Sequence, residues 1–193
     1  QTKAPDSVSW HQPTAARSLT LLREGGLGPQ SALIDVGGGA SRLVDALLDE
    51  PVGSITVMDL SEAALCLARQ RLGERAREVT WLVGDITKVS LPAQAYDLWH
   101  DRAVFHFMTT PESRQAYLQR LQHALRPGSH VVMSTFAEDG PERCSGLPVQ
   151  RYSRQELMHA LGPRFVLLAH ERELHTTPSG AQQAFNHALL RFA

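Results

Sequence analysis

Ser31-Ala32-Leu33-Ile34-Asp35-Val36-Gly37-Gly38-Gly39-Ala40-Ser41 is the stretch that decides the fold. Ser31 to Val36 is a short apolar run ending on glycines, the pattern of a strand buried on both faces. Ser41 to Asp49 then places Leu43, Val44, Leu47 and Leu48 at helical spacing, and Pro51 and Gly53 stop that helix. Three consecutive glycines at a strand-to-helix turn permit a tight bend and a close backbone approach to a ligand. On their own they equally describe a plain β-α turn. A pyrophosphate-binding G-x-G-x-x-G does not fit. Counted from Gly37 it needs glycine where Arg42 stands, and counted from Gly38 where Ala40 and Leu43 stand. A dehydrogenase reading is weakened accordingly.

Outward from this turn the alternation repeats. Thr14 to Leu22 reads as a helix before it. After it come a buried strand at Ile55 to Leu60 and a helix from Glu62 to Leu72 with Ser61 as N-cap. Val79 to Val83 and Tyr96 to His100 are the third and fourth strands. An amphipathic helix over Glu112 to Leu125 ends at Arg126-Pro127-Gly128, and His130 to Phe136 is the fifth strand. Ala137 to Val149 is a Gly- and Pro-rich loop, and Ser153 caps a helix to Leu161. Arg164 to Glu173 and Gln182 to Phe192 are the last two strands, with His175 to Gly180 as their turn. Five buried strands alternating with helices predict a parallel sheet covered on both faces. Two final strands with no helix between them must pair antiparallel or lie apart.

The 193 residues, 42% hydrophobic and 20% charged, suit one soluble domain with its own core. A net charge of −1 offers no electrostatic grip on nucleic acid or an anionic membrane. Arg69, Arg71, Arg75 and Arg77 read as a solvated helix end. Two cysteines, Cys66 and Cys144, form neither a disulfide framework nor a zinc spacing, and the nine histidines are scattered, so no metal site is expected. Cys66 in an apolar helical run reads as a structural thiol. A reducing cytoplasm is the expected compartment. No run reaches the ~18 apolar residues of a membrane helix. Gln1-Thr2-Lys3-Ala4-Pro5 does not read as a signal peptide, and a start without Met is expected to continue upstream.

The strand ends carry the chemistry. Asp59 closes the second strand 22 residues past Gly37, where a carboxylate can accept hydrogen bonds from both hydroxyls of a ribose. Its structural alternative is an acid favoured by the helix macrodipole. Gly84-Asp85-Ile86 closes the third strand, placing an acid and an apolar residue where a purine amine and ring would lie.

The ordered series IDVGGG, VMDLS, VGDIT and YDLWHDRAVFHF resembles the motifs of class I S-adenosylmethionine-dependent methyltransferases over roughly residues 13 to 136. The resemblance implies an α/β, Rossmann-like fold: a mainly parallel seven-stranded sheet, a C-terminal antiparallel hairpin and helices on both faces. It implies S-adenosyl-L-methionine as cofactor and S-adenosyl-L-homocysteine as product, without a metal. Asp35, Gly37 and Gly39 would line its methionine and sugar portions, Asp59 would bind the ribose hydroxyls and Asp85 with Ile86 the adenine, with Gly38, Leu60 and His100 also expected to touch the cofactor. The family's third glycine falls at Ser41. Residues 1–193 would form one domain. Residues 1–25 would be a lid segment and first helix, 31–136 the cofactor core, and 137–193 an acceptor-side loop, helix and closing hairpin.

Asp101-Arg102 is similar to the Asp-Arg-Gly loop of thiopurine-type and some protein-lysine methyltransferases, with Ala103 in place of glycine. The Asn-Pro-Pro-Tyr motif of exocyclic-amine methyltransferases is absent. Asp101, Arg102 and His106 are therefore the expected catalytic group. Trp10, His11, Arg143, Cys144, Arg151, Tyr152 and His175 are expected around the acceptor. Each has a structural reading too: Trp10 as packing on the first helix, His106 as a core histidine, Arg102 as an ion pair, Cys144 as an incidental loop residue, and Arg151 and Tyr152 as neighbours of a helix cap. With little chain left for a docking surface, a small-molecule acceptor is expected, bound by a monomer or dimer. A small thiol is favoured. Amine or protein-lysine N-methylation and a non-catalytic cofactor-binding module are the alternatives.

Overall fold

A computed structural model describes residues 15–39, 41–177 and 180–193. Nine strands and five α-helices are laid down in the order α1 (Ala16–Glu24), β1 (Ala32–Val36), α2 (Leu43–Leu48), β2 (Ser54–Asp59), α3 (Glu62–Leu72), β3 (Val79–Val83), β4 (Tyr96–Arg102), α4 (Pro111–Ala124), β5 (Leu125–Phe136), β6 (Arg143–Cys144), β7 (Leu147–Pro148), α5 (Arg154–Leu161), β8 (Phe165–Thr176) and β9 (Gln182–Phe192). Seven strands form one sheet in the order β3-β2-β1-β4-β5-β9-β8. The β1–β2, β2–β3, β1–β4 and β4–β5 pairs are parallel, while β9 runs antiparallel to both β5 and β8. The order reverses between β1 and β4, and in such a sheet the crevice at the strands' carboxyl ends is where ligands bind.

The sheet is buried on both faces because its central strands are apolar at successive positions. Leu33, Ile55, Leu98, Val132 and Leu189 pack with Leu21 and Leu22 of α1, with α2 and with Leu65 of α3. Their neighbours Ile34, Trp99, Val131, Met133 and Leu190 pack on the other face with Leu121 of α4 and Leu157 of α5. This two-residue alternation recurs at the functional end of β4. The helix starts follow from their caps: Ser61 Oγ accepts the Ala64 N–H at α3, and Thr110 and Ser153 form capping boxes at α4 and α5.

Several boundaries differ from the sequence reading. β5 begins at Leu125 rather than His130. Tyr96 pairs with Leu125 and Leu98 with His130, so residues 126–129 bulge out of the ladder around a positive-φ Gly128. The 137–149 loop contains a small hairpin, β6–β7, whose two turn residues Ser145 and Gly146 both have positive φ, as a type I′ two-residue turn requires. His175 lies inside β8 rather than in the turn. The arginines in the last turn of α3 and just after it are not merely solvated. Arg71 grips Asp45 through two hydrogen bonds of 3.0 and 2.7 Å, Arg75 reaches Asp49 and Arg69 lies over the Trp81 ring, tying α3 to α2 and β3.

Candidate active site

A cleft of about 710 Å³ opens along the carboxyl ends of β1–β4, a size suited to a small ligand. Gly37, Gly38 and Gly39 form its floor. The Gly37 and Gly38 N–H groups donate to the Met58 carbonyl at 2.8 and 3.2 Å, so the turn is pressed onto β2. Gly37 has φ +74°, and a side chain there would strike Val104. A Cβ on Gly38 would strike Asp35 and lie 2.7 Å from Val57 Cγ1, and one on Gly39 would lie 2.5 Å from Asp59 Oδ2. A side chain at any of the three would collide with Val104, Asp35 or Asp59, so only glycine lets the turn form this close-packed cradle.

Asp35, at the end of β1, is buried, and its Oδ1 pairs with His100 Nδ1 at 2.7 Å. His100 Nε2 lies 2.8 Å from Ser18 Oγ on α1. Asp35 Oδ2 is buried without a hydrogen-bond partner among the described residues, an unmet acceptor beside the cradle. All three side chains line the cleft. Asp59 Oδ1 accepts the Ser61 N–H at 2.8 Å, leaving Oδ2 toward Gly39. Burial raises the Asp59 pKa, opposed by backbone hydrogen bonds from Ser61, Gly39 and Leu60. Asp85 is held by the Thr87 hydroxyl and N–H at 2.7 and 2.9 Å, which together with Lys88 outweigh desolvation and lower its pKa. Leu60, 74% exposed, forms the rim, and Ile86 is buried in the wall. Asp35, Gly37, Gly38, Gly39, Asp59, Leu60, Asp85, Ile86 and His100 therefore all meet in this one cleft.

The other end of the cleft is built by the loop after β4 and by the β6–β7 hairpin. Arg102, Val104, Phe107, Met108, Cys144, Leu147 and Pro148 line it. Arg102 lies over the Phe185 ring at 5.1 Å. Desolvation lowers its pKa, with Glu173 opposing the shift. Burial raises the pKa of the Cys144 thiol.

Asp101 and His106, expected beside Arg102, point elsewhere. Asp101 is completely buried on the α4 face of β4. Its Oδ2 accepts the Tyr117 hydroxyl at 2.5 Å and the Phe105 N–H at 3.0 Å, and its Oδ1 accepts the Val104 N–H at 2.9 Å. Trp99 Nε1 donates to the same Tyr117 oxygen at 3.0 Å. Desolvation pushes the Asp101 pKa up to about 6. This carboxylate fastens the turn that holds Ala103 at φ +68° and projects Arg102 into the cleft. His106 is buried against Phe107 and Phe136, and burial lowers its pKa to about 3. Neither residue lines the cleft.

The expected acceptor residues scatter. Trp10 and His11 lie outside the described residues. Cys144 lines the cleft, but Arg143 turns back to the Gly146 carbonyl. Arg151 contacts the Gly140 carbonyl and Glu142. Tyr152 stacks on Phe105 and faces a separate surface groove between α4 and α5. His175 is buried edge-on to Phe185. The sequence reading missed Ser18, Phe107, Met108, Leu147 and Pro148. The Phe107-Met108 pair after the β4 loop was a visible apolar signal, whereas Ser18 reaches the site only through packing of α1. Among the described residues no His/Cys/Asp/Glu group could hold a metal ion, and no helix is long and apolar enough to cross a membrane.

A family profile described as a methyltransferase domain matches residues 33–128, the stretch that carries the glycine cradle and the three acids. Over this stretch the chain is similar to a methyltransferase domain. The chain is 36% identical over 90 residues to an uncharacterised chloroplastic methyltransferase of Arabidopsis thaliana, covering 47% of this chain and 23% of that protein. It is 24% identical over 122 residues to the ubiquinone/menaquinone biosynthesis C-methyltransferase of Cupriavidus taiwanensis, covering 62% and 49%. The chain spans between about a quarter and a half of these curated relatives. Among solved structures it is similar to the 1,6-didemethyltoxoflavin N1-methyltransferase of Burkholderia thailandensis, which was crystallised with its acceptor and S-adenosylhomocysteine. The TM-score is 0.73 and the identity 23%, covering 93% of this chain and 77% of that one. The methyltransferase fold is thereby shared.

Proposed function

We propose that the chain is an S-adenosylmethionine-dependent methyltransferase acting on a small acceptor, with a small thiol favoured. The observation that carries this is the convergence of the glycine cradle, Asp59 and Asp85 in one cleft. The glycine turn lining the cleft and the unmet Asp35 Oδ2 fit the amino-acid end of the cofactor, Asp59 Oδ2 its ribose hydroxyls, and Asp85 with Ile86 its adenine. Bound there, the cofactor supplies an electrophilic methyl group on a sulfonium.

The acceptor end favours a nucleophile that needs no strong base. Among the described lining residues, His100 is engaged on both ring nitrogens and no carboxylate faces the Arg102 end. A thiol, with a pKa near ~8.5, presents some thiolate at neutral pH, whereas an alcohol requires a base. Calorimetric titration with S-adenosylmethionine, S-adenosylhomocysteine and NAD tests the cofactor assignment. Micromolar binding of the two sulfur compounds and none of NAD is expected, and failure of both would overturn it. Mass spectrometry after incubation with a thiol panel tests turnover. Thiol methylation no better than a heat-killed control would remove the thiol. Label entering lysate protein would favour lysine, and binding without turnover of any acceptor would leave a non-catalytic module.

A further inference from the structure

The end of the cleft beyond the glycine turn is an open apolar wall. Val104, Phe107 and Met108 reach it from the loop after β4, and Leu147 and Pro148 from the β6–β7 hairpin. A Cβ on Gly37 would strike Val104, so the wall starts where the glycine turn ends. Phe107 packs against the cluster that holds Cys144, and Cys144 is the cross-strand partner of Leu147, which joins the hairpin to the loop. Val104, Phe107 and Met108 are only half-buried, Pro148 is exposed and Leu147 is 58% exposed. The hairpin ladder is made by backbone groups and would accept a polar side chain at 147, yet a leucine lines the cleft there. Contiguous open apolar side chains in a concave wall mark a ligand site. The charges beside this wall are already taken. The Arg102 guanidinium rests on Phe185 with Glu173 acting on its charge, and its Nε and Nη2 are buried. Asp101 is spent on Tyr117 and two backbone N–H groups. Among the described residues of the loop and hairpin that line the cleft, Thr109, Cys144 and Ser145 complete the polar set, and none of the three carries a charge.

We infer that this wall selects an uncharged, apolar acceptor: a thiol whose sulfur is carried by a hydrocarbon group seated against Phe107, Met108, Leu147 and Pro148. This rests on the methyltransferase reading and adds the substrate class to it. The hydrocarbon group leaves water for the wall, and each methylene so buried strengthens binding by up to about fourfold. A carboxylate or ammonium in the same place loses its hydration and finds no open partner of opposite charge. This seating leaves the sulfur at the Val104 edge, beside the glycine turn. In transfer, a new C–S bond forms to the methyl carbon as the methyl–sulfonium bond breaks. The bonding pair passes to the sulfur of S-adenosylhomocysteine, and the proton lost from the thiol goes to water. Leu147 is the specificity-determining position, because its side chain lines the cleft while its backbone builds the hairpin.

The test gives the full chain the alkanethiols from ethanethiol to pentanethiol, with 3-mercapto-1-propanol, 3-mercaptopropionate and cysteamine as polar and charged counterparts. Expected kcat/KM rises about two- to fourfold per methylene. 1-Butanethiol should exceed 3-mercapto-1-propanol, which carries a hydroxyl in place of its terminal methyl, by about tenfold. Leu147→Ser should flatten the chain-length series. These ratios are taken within one protein, so any loss of folded material cancels. Binding supplies a readout that needs no turnover. The chain loaded with S-adenosylhomocysteine is titrated with butyl methyl sulfide and with 3-(methylthio)-1-propanol. Tighter binding of the sulfide, with the difference reduced in Leu147→Ser, is expected. A flat chain-length series, equal binding of sulfide and alcohol, or faster turnover of 3-mercaptopropionate or cysteamine than of 1-butanethiol would overturn the inference. Preferred binding of the sulfide without turnover of any thiol would uphold the apolar site and remove the thiol from it. Failure of S-adenosylhomocysteine itself to bind would instead overturn the methyltransferase reading.

Discussion

Replacing Asp101 by Asn should have an effect on stability that depends on pH, and the direction follows from where the carboxyl lies. The Asp101 pKa is about 6 in the folded chain against 3.8 ordinarily, because desolvation outweighs the bonds from Tyr117, Val104 and Phe105. Burying the charged form therefore costs the folded protein about 3 kcal/mol at neutral pH. A raised folded-state pKa means that stability from this group is fully present below pH 3.8 and is lost as pH climbs through 6. Asparagine carries no such charge at any pH. It does leave one of the donors that Asp101 satisfies facing an amide NH₂, a loss of about 1–3 kcal/mol. At pH 7.5 the two effects nearly cancel and the variant should be close to the parent in stability. At pH 4.5 the parent has recovered about 2 kcal/mol of its penalty, so the variant's stability relative to the parent should fall by about 2 kcal/mol between pH 7.5 and 4.5. Urea unfolding of both proteins at half-unit steps from pH 4 to 7.5 measures the gap, and titrations shared by both proteins cancel in the difference. A gap that stays constant across this range would refute the claim that Asp101 is a buried fastening of the β4 loop. It would return Asp101 to the solvent-facing role expected of a base.

Asp59→Ala should weaken S-adenosylhomocysteine binding by about 1.5–3 kcal/mol, the loss expected for hydrogen bonds to a charged group, read by calorimetry; unchanged affinity would misplace the ribose. Gly39→Ala puts a methyl group 2.5 Å from Asp59 Oδ2 and should reduce cofactor affinity at least as much while the protein still unfolds cooperatively; an affinity equal to the parent's would contradict a close-fitting cradle. Ala103, at φ +68°, should tolerate glycine within ~1 kcal/mol, whereas Ala103→Val, β-branched in a left-handed conformation, should destabilise by more than ~2 kcal/mol; similar unfolding midpoints for the two variants would argue against that backbone geometry.

The sequence by itself determined which residues meet at the proposed cofactor end of the cleft. Asp35, the three glycines, Asp59 and Asp85 each sit at the end of a buried apolar run. Short β-α connections in a parallel sheet deliver such ends to one edge, so local pattern was enough to place them together. The acceptor half was decided by tertiary structure. Asp101 and Arg102 are neighbours in sequence but point to opposite faces of β4, and only the packing of α4 on one face and of α1 on the other settles which enters the core and which the cleft. His106, Arg151, Tyr152 and His175 carried plausible chemistry, yet each is claimed by a ring, a carbonyl or a groove elsewhere. Ser18 enters the site from far along the chain because α1 packs across His100, and Leu147 does so because the Ser145-Gly146 turn folds a hairpin over the cleft. Such long-range placements depend on how whole elements pack, and no local periodicity encodes them.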